Sequence, residues 1–511
     1  MHTSNLKPAG LLAGKASLIS GFSLFLGILF NYLFFDKTPG ISFLIFMLFV
    51  IGGFILILKF SGRSLNREAL WLMVPLFFFG AMLSVRASLE LMLLNIVATL
   101  GLLLLIAEVF FGRTLSSFFI FDYLKIVFLP FKFLLPLWKT LSSLVAQRAG
   151  KEKPFSHIIK GIFITAPFLF IFLLLFSSAD LVFEKYIANL VSFEISEETI
   201  ARIILVLAVF LVFTGAYSYI FGERKKSAEV KNGKSAGFLG KIESYILFGS
   251  VNVLFLLFII VQLTYLFGGE SNIISAGFTY ADYARRGFFE LIWVALVSLI
   301  LLVTADKLFP AENGRHSAAF KFQSSALIVQ VLVIMFSAYA RLSLYEEAYG
   351  FTVQRLFSHS FIILLGVIFC LLAWKTLRNL PNGQAGGGEN FFAYGAFVAV
   401  NLFVFGLNLL NPDAFIAHRN LERFEATGKL DAGYLASLSD DAMPDLIAAL
   451  NTDNQEIRSH LGKELYLRSK SETPAKWQSW NIARSHAIKM LLPKIAELEQ
   501  FKDYQPEPLL K

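Results

Sequence analysis

The fold class this chain predicts is all-α: a polytopic transmembrane helical bundle of about 11 spans with a small C-terminal all-α extramembrane domain. Three observations carry the prediction. Of 511 residues, 56% are apolar, 56 are phenylalanine, and 16% are charged, where soluble domains carry roughly 25%. The mean hydropathy is +0.65. Apolar runs of the length a bilayer demands, about 20 residues, recur from residue 16 to residue 410 and then stop. This composition excludes a disordered chain, a nucleic-acid-binding domain and an ordinary cytosolic enzyme. The net charge of +8 is read by position along the loops and not as a nucleic-acid signal. The single cysteine, Cys370, lies in an apolar run and excludes an internal disulfide.

Residues 1–15 read as a short cytoplasmic segment, and 16–410 as the membrane domain. The first apolar run lacks a small-residue cleavage site, so it reads as a retained signal anchor. Runs of spanning length fall at 16–35, 40–59, 69–85, 89–111, 158–177, 201–221, 244–267, 288–309, 323–340, 357–377 and 391–410, the third being the shortest. Residues 116–141 are apolar but are not counted. Lys125, Lys132 and Lys139 recur every seven residues, which puts them on one helical stripe, and Pro130 and Pro136 break a straight span. A kinked amphipathic helix in the membrane interface fits that pattern. A twelfth span would export Arg148, Lys151 and Lys153 in a short loop, against the positive-inside rule. The linker 222–243 is rich in Lys, Gly and Ser and reads as a flexible cytoplasmic loop. The run at 386–388 is a glycine linker without the strand and helix of a phosphate-binding loop.

Orientation follows from charge. With the N-terminus cytoplasmic, even-numbered connections carry Lys59, Arg63 and Arg67, the block from Arg113 to Lys153, the lysines of the 222–243 linker, Lys307, Arg315, Lys321, Lys375 and Arg378. Odd-numbered ones carry few basic residues, a bias of roughly three to one. An odd span count then places residues 411–511 outside. In that tail Asn411-Pro412 reads as a helix start with Asn as N-cap. Ser439-Asp440-Asp441 reads as a second cap, Asp453 starts a third helix, and Thr473-Pro474 opens a last one, kinked at Pro493. Trp477 and Trp480 are read as core, with the membrane interface as the alternative.

Three outer segments hold the candidate ligand-binding residues. The first leads into the eighth span with Tyr280, Asp282, Tyr283, Arg285, Arg286 and Glu290; Asp282, Arg286 and Glu290 are spaced four apart, a charged ladder if helical. Glu290 sits just inside an apolar run, where a charge needs a partner, and Arg286 is the nearest. The second joins spans nine and ten as a polar connection with Arg341, Tyr345, Glu346, Glu347, Tyr349 and Arg355. The third follows the last span with Asn411, Asp413, His418 and Arg419, and with Asn420 and Arg423 beyond. Acids, arginines and tyrosines mix here, whereas the other loops carry mainly lysine, which points to a site on the outer face. Asn95, Asn252, Gln262, Gln330, Asn401 and Asn408 lie within spans and are expected to bond between helices. No HExxH, CxxC, GxSxG or Walker pattern occurs, so no metal, cofactor or ATPase site is expected.

The segments 31–42, 283–288, 345–350, 411–414 and 434–442, with Pro444, together resemble a family of bacterial polytopic inner-membrane proteins known only as a domain of unknown function. That resemblance implies a bacterial cytoplasmic membrane and brings no activity. The expected partners are the lipid bilayer and either an envelope protein or a small ligand, with no nucleic acid. The leading expectation is a non-enzymatic envelope protein binding at its outer face. A small-molecule transporter would instead line a cavity with the Asn and Gln residues of the spans. A membrane-embedded enzyme acting on a lipid-linked substrate would gather Asp282, Glu290, Glu346, Glu347 and His418 around one pocket.

Overall fold

The structure, a computed structural model, describes residues 8–64, 66–110, 114–148, 196–222, 241–266, 288–308, 317–378, 388–471 and 476–505, with isolated positions between 165 and 183. The described residues form helices and turns and no strand. Eight helices contain a stretch long and apolar enough to cross a membrane, which makes this a multi-pass membrane protein. They are α1 (Pro8–Phe34), α2 (Ile41–Phe60), α4 (Leu89–Val109), α7 (Glu197–Phe221), α8 (Lys241–Leu266), α10 (Ala318–Tyr349), α11 (Val353–Arg378) and α12 (Gly388–Leu410).

The expected count of about 11 is not reached among the described residues. The run at 69–85 folds as α3 (Arg67–Met82), only 16 residues long with Pro75 inside it. The run at 288–309 folds as α9 (Phe288–Leu308), 21 residues long, of which Phe289–Ala305 is the described apolar stretch. Most of the run at 158–177 and of the linker 222–243 lies outside the described residues.

Aromatic packing joins α1, α2 and α7. Phe46 of α2 stacks edge-on against Phe30 and Phe34 of α1 and Phe213 of α7, with ring centroids 5.3, 5.7 and 5.7 Å apart. Such contacts add to the burial of apolar area that drives association. Leu72, Leu76 and Phe79 of α3 are buried with Leu102, Leu105 and Ile106 of α4. A second core gathers α8 to α11 around Leu327, Val331, Ile334 and Phe369, and α12 connects it to α3 and α4.

Hydrogen bonds between polar side chains tie the spans. Asn95 of α4 and Asn408 of α12 donate to each other's side-chain oxygens at 2.9 and 2.8 Å. Asn252 of α8 donates to the Gln323 carbonyl at 3.1 Å, and Gln330 donates to the Asn252 carbonyl at 3.2 Å. These residues stitch helices together, as the sequence led us to expect. Asn401 instead turns back to the Phe397 carbonyl of its own helix.

The helix ends sort into two sets. At one end the Lys15 ammonium donates to the Phe221 carbonyl, Arg63 to the Ile220 carbonyl and Asn66 to the Val109 carbonyl. Residues 115–148 remain at this end. They are broken into a 3-10 turn at 115–117, α5 (Ile120–Ile126), a second 3-10 turn at 129–133 and α6 (Leu134–Arg148). Pro130 stands in the first turn of the second 3-10 piece, where its missing N–H costs least. Neither helix is long enough to span.

The tail occupies the other end. It contains α13 (Pro412–Thr427), α14 (Ala432–Ser437), α15 (Met443–Ala449), α16 (Gln455–Ser471), α17 (Ile482–Leu491) and α18 (Ile495–Leu498) around a core of Ile416, Leu435, Leu446, Leu461 and Leu498. The expected start at Pro412 holds, but Asn411 makes no side-chain cap; it turns the chain in a left-handed conformation (φ 55°). Thr473-Pro474 lies outside the described residues, and the last long tail helix starts at Ile482, capped by Asn481, whose side chain accepts from the Arg484 amide. Trp477 and Trp480 are 51% and 45% exposed and so are not core, correcting the first reading. Trp477 instead lies beside Tyr32 at the end of α1, ring centroids 6.3 Å apart.

Candidate functional site between the bundle and the tail

The segment from Arg341 to Tyr349 was expected to be a polar connection. It is helix: α10 runs on to Tyr349, because nothing between Ala338 and Tyr349 breaks it. Only residues 350–352 connect α10 to α11. Gly350 ends the helix at φ 83°, and its amide donates to the Glu346 carbonyl at 2.7 Å. A Cβ there would stand 2.8 Å from Asn420 Oδ1. That closeness has a purpose: Asn420 of α13 accepts from the Phe351 amide at 2.8 Å and donates to the Phe351 carbonyl at 2.9 Å. Arg423, one turn on, donates to the Glu347 and Ala348 carbonyls at 3.0 and 2.7 Å. These donors satisfy carbonyls that the end of α10 leaves open.

The same logic holds at two other connections. Gly40, before α2, is so close to the tail that a Cβ would stand 2.5 Å from the Trp480 carbonyl oxygen. The Ile41 amide donates to that oxygen at 2.9 Å. Between α3 and α4, Asp441 accepts from the Ala87 and Ser88 amides at 2.6 and 3.1 Å and pairs with Arg86 at 3.6 Å. Asn481 donates to the Leu83 and Arg86 carbonyls, and the Ile482 amide donates to the Ser84 carbonyl. The tail therefore clamps three helix connections at once. Burial pushes the Asp441 carboxyl up from the ordinary range, against the pull of the Ala87 amide and Arg86. Asp413, which accepts from the Ser439 amide, is likewise pushed up by burial.

A cavity of about 860 Å³ lies where the bundle meets the tail. Its lining includes Glu90 of α4, Phe289 of α9, Tyr345 of α10, Arg355 and Phe357 of α11, and Tyr434 of α14. The Arg355 guanidinium lies 4.0 Å from the centre of the Tyr345 ring and also donates to the Gly350 carbonyl. The Tyr434 hydroxyl accepts from the Val353 amide at 2.7 Å, which leaves its own proton to be given elsewhere. Burial raises the Tyr434 phenol above its usual value, and the charges of Asp413, Glu90 and Arg355 also act on it. Among the described residues the site thus offers one cation, one anion and a phenol donor between aromatic walls.

Beside it lies a buried cluster. Glu346 Oε2 and His359 Nδ1 are 2.9 Å apart, with side chains 5% and 11% exposed. Ser343 Oγ is 3.3 Å from His359 Nε2. The order Ser–His–Glu resembles a nucleophile, its base and an orienting acid. A backbone oxygen shares the cluster. Ser343 gives its proton to the Tyr339 carbonyl at 3.1 Å, and His359 Nε2 is 3.2 Å from that same oxygen. With Nδ1 facing the Glu346 carboxylate, Nε2 carries a lone pair, and the Ser343 hydroxyl lies within reach of both that nitrogen and the Tyr339 carbonyl. Arg341, also buried, donates to Gln262 of α8.

The model of the family described as Domain of unknown function (DUF4153) matches residues 73–449. The chain belongs to the DUF4153 family. Comparison with curated proteins and with solved structures finds no match. The DUF4153 match takes in the lining residues from both sides of the cavity, from Glu90 to Tyr434, and also Asp441.

The structure of this DUF4153 member sorts the expected site residues. It brings Tyr345 and Arg355 into the cavity and buries Arg341 and Glu346 next to it. Asn411 and Asp413 shape the turn from α12 into the tail. Glu347 and Tyr349 are exposed, Tyr349 packing edge-on against Tyr345 at 5.0 Å. His418 and Arg419 do not line the cavity: His418 is near Glu422 and Asp445 at 3.3 and 3.4 Å on an exposed flank, and Arg419 pairs with Glu422. Glu290 is exposed in the first turn of α9. Tyr280, Asp282, Tyr283, Arg285 and Arg286 lie outside the described residues. Sequence reasoning did not select Glu90, Tyr434, His359 or Asp441 as site residues: Tyr434 and Asp441 meet partners remote in the chain, Glu90 lines the cavity with residues from distant segments, and His359 meets Glu346 and Ser343 only across the turn between α10 and α11. Among the described residues no group of three or more His, Cys, Asp or Glu is placed to hold a metal ion.

Proposed function

We propose that this protein binds a small amphiphilic ligand in the cavity between its membrane bundle and its tail, without catalysing a reaction. We further propose that it resides in the bacterial cytoplasmic membrane with the tail on the non-cytoplasmic side, the side assigned by the clustering of Lys and Arg in the opposite connections. The observation that carries the binding reading is the cavity of about 860 Å³ itself, within the size range of ligand sites. Arg355 suits an anionic group, Glu90 a cationic one, and Phe289, Phe357 and Tyr345 an apolar body. The enzyme reading is disfavoured because Glu290, Glu347 and His418, which it needs around one pocket, do not line the cavity. The transporter reading loses the polar lining it needs, because the Asn and Gln residues of the spans bond helix to helix, except Asn401, which bonds within its own helix.

The test uses a dodecyl phosphate carrying a diazirine in its chain, added to the full-length protein in lipid nanodiscs. Photolabelling is expected at 345–357 and 434. It should fall at least about five-fold in Arg355→Ala, whose lost charge-assisted bond is worth more than about 1 kcal/mol. Labelling spread evenly over the lipid-facing helices and unchanged by Arg355→Ala would refute the proposal.

A further inference from the structure

Residues 120–139 have two apolar sides. One side, Ile126, Leu129, Phe133 and Leu137, is buried. It packs on the last turns of α7, where the Phe133 ring is 5.3 Å from that of Tyr219 and Thr140 Oγ1 is 2.7 Å from Ser218 Oγ. The contact extends to Gly215, six residues before the end of α7, roughly 9 Å along the helix axis from that end. The other side carries Leu124, Val127, Phe128, Phe131, Leu134 and Leu135, each at least 60% exposed. Six such side chains within twelve residues, alongside the end of a membrane-crossing helix, have no stable place in water. Lys125, Lys132 and Lys139 are exposed on the same segment. The acid of the segment, Asp122, is turned to its own helix start, accepting from the Phe119 amide at 3.3 Å.

We propose that residues 120–139 form a binding surface for anionic phospholipids. Acyl chains cover the outward Phe and Leu side chains, and the three lysines extend along the membrane boundary to the phosphates. The charge selects the lipid, since an apolar surface alone accepts any acyl chain. Arg63 and Arg67, exposed at the same end of the bundle, add to the same field.

The full-length protein would be released for native mass spectrometry from nanodiscs of mixed phosphatidylglycerol and phosphatidylcholine. The wild type is expected to retain phosphatidylglycerol in preference to phosphatidylcholine. The triple variant Lys125→Gln/Lys132→Gln/Lys139→Gln should lower that preference by up to about a hundred-fold, at about five-fold per lysine. The corresponding Lys→Arg variant, which keeps the charge, should restore it. Equal retention of the two lipids by the wild type, or an unchanged preference in the glutamine variant, overturns the proposal. So does a dimer mass without lipid, which would make a second copy of the chain the occupant. Should the glutamine variant fail to fold, a nitroxide on Phe131→Cys in a Cys370→Ser chain gives the decision. Quenching by oxygen supports burial in lipid, and quenching by an aqueous nickel reagent overturns it.

Discussion

Replacing Asp441 tests whether the tail is held to the bundle by one buried carboxylate. In the structure this side chain is 2% exposed, accepts two amides of the α3–α4 connection and faces Arg86 at 3.6 Å. Asp441→Ala leaves the Ala87 and Ser88 amides and part of the Arg86 guanidinium without an acceptor. Removing one partner from a buried charged pair costs about 3–5 kcal/mol. The lower end applies, about 3 kcal/mol, because Arg86 Nε keeps its bond to the Asn408 carbonyl at 2.9 Å. Asp441→Asn retains an oxygen for one amide and removes the cost of burying a charge, so a loss of about 1 kcal/mol is expected. Amide hydrogen exchange in nanodiscs reads this directly. The Ile41, Ile482 and Ala483 amides all close bonds across the seam. Their protection should fall about a hundred-fold in Asp441→Ala and about five-fold in Asp441→Asn, while the core of α11 stays protected. A change under about three-fold in the alanine variant, or an asparagine variant as weak as alanine, would refute the reasoning.

Other outcomes follow from the same geometry. Gly350→Ala forces a side chain onto φ 83° and against Asn420 Oδ1; a loss of about 1–3 kcal/mol is expected in thermal unfolding. Asn95 and Asn408 bond reciprocally inside the membrane domain. A double-mutant cycle with leucine should give a coupling of about 0.6–1.7 kcal/mol, and zero coupling would deny the pair. Burial raises the Asp413 carboxyl above 3.8, so between pH 3.8 and its raised value the docked tail keeps a proton that a free tail has lost. Its contribution therefore favours docking at acid pH, declines as pH rises through that window and is flat above it. Asp413→Asn should reduce the slope of melting temperature against pH over that window.

What was legible in the sequence is what depends on local pattern. The apolar runs gave the helices α2, α4, α7, α8, α11 and α12 to within about four residues at each end, since bilayer thickness sets their length, while α1 begins eight residues before its run. The turn residues gave the helix start at Pro412. The lysine period at 125, 132 and 139, with the two prolines, marked a segment that does not span. The same reasoning failed where helix continues under polar side chains. Arg341 to Tyr349 reads as a loop by polarity, yet helix is favoured once Asn420 and Arg423 bind the loop and carbonyls at its end.

The tertiary structure alone decided which distant segments meet. Nothing at Asp441 announces that it will hold residues 86–88, more than 350 positions away in the chain. Nothing at Tyr434 announces that its hydroxyl will meet the Val353 amide and close a cavity with Glu90 and Arg355. The physical reason is that hydrophobic periodicity reports only whether a residue leaves water. Which donor finds which acceptor is settled when packed helices bring chain ends together, because a buried polar group takes the partner that geometry supplies.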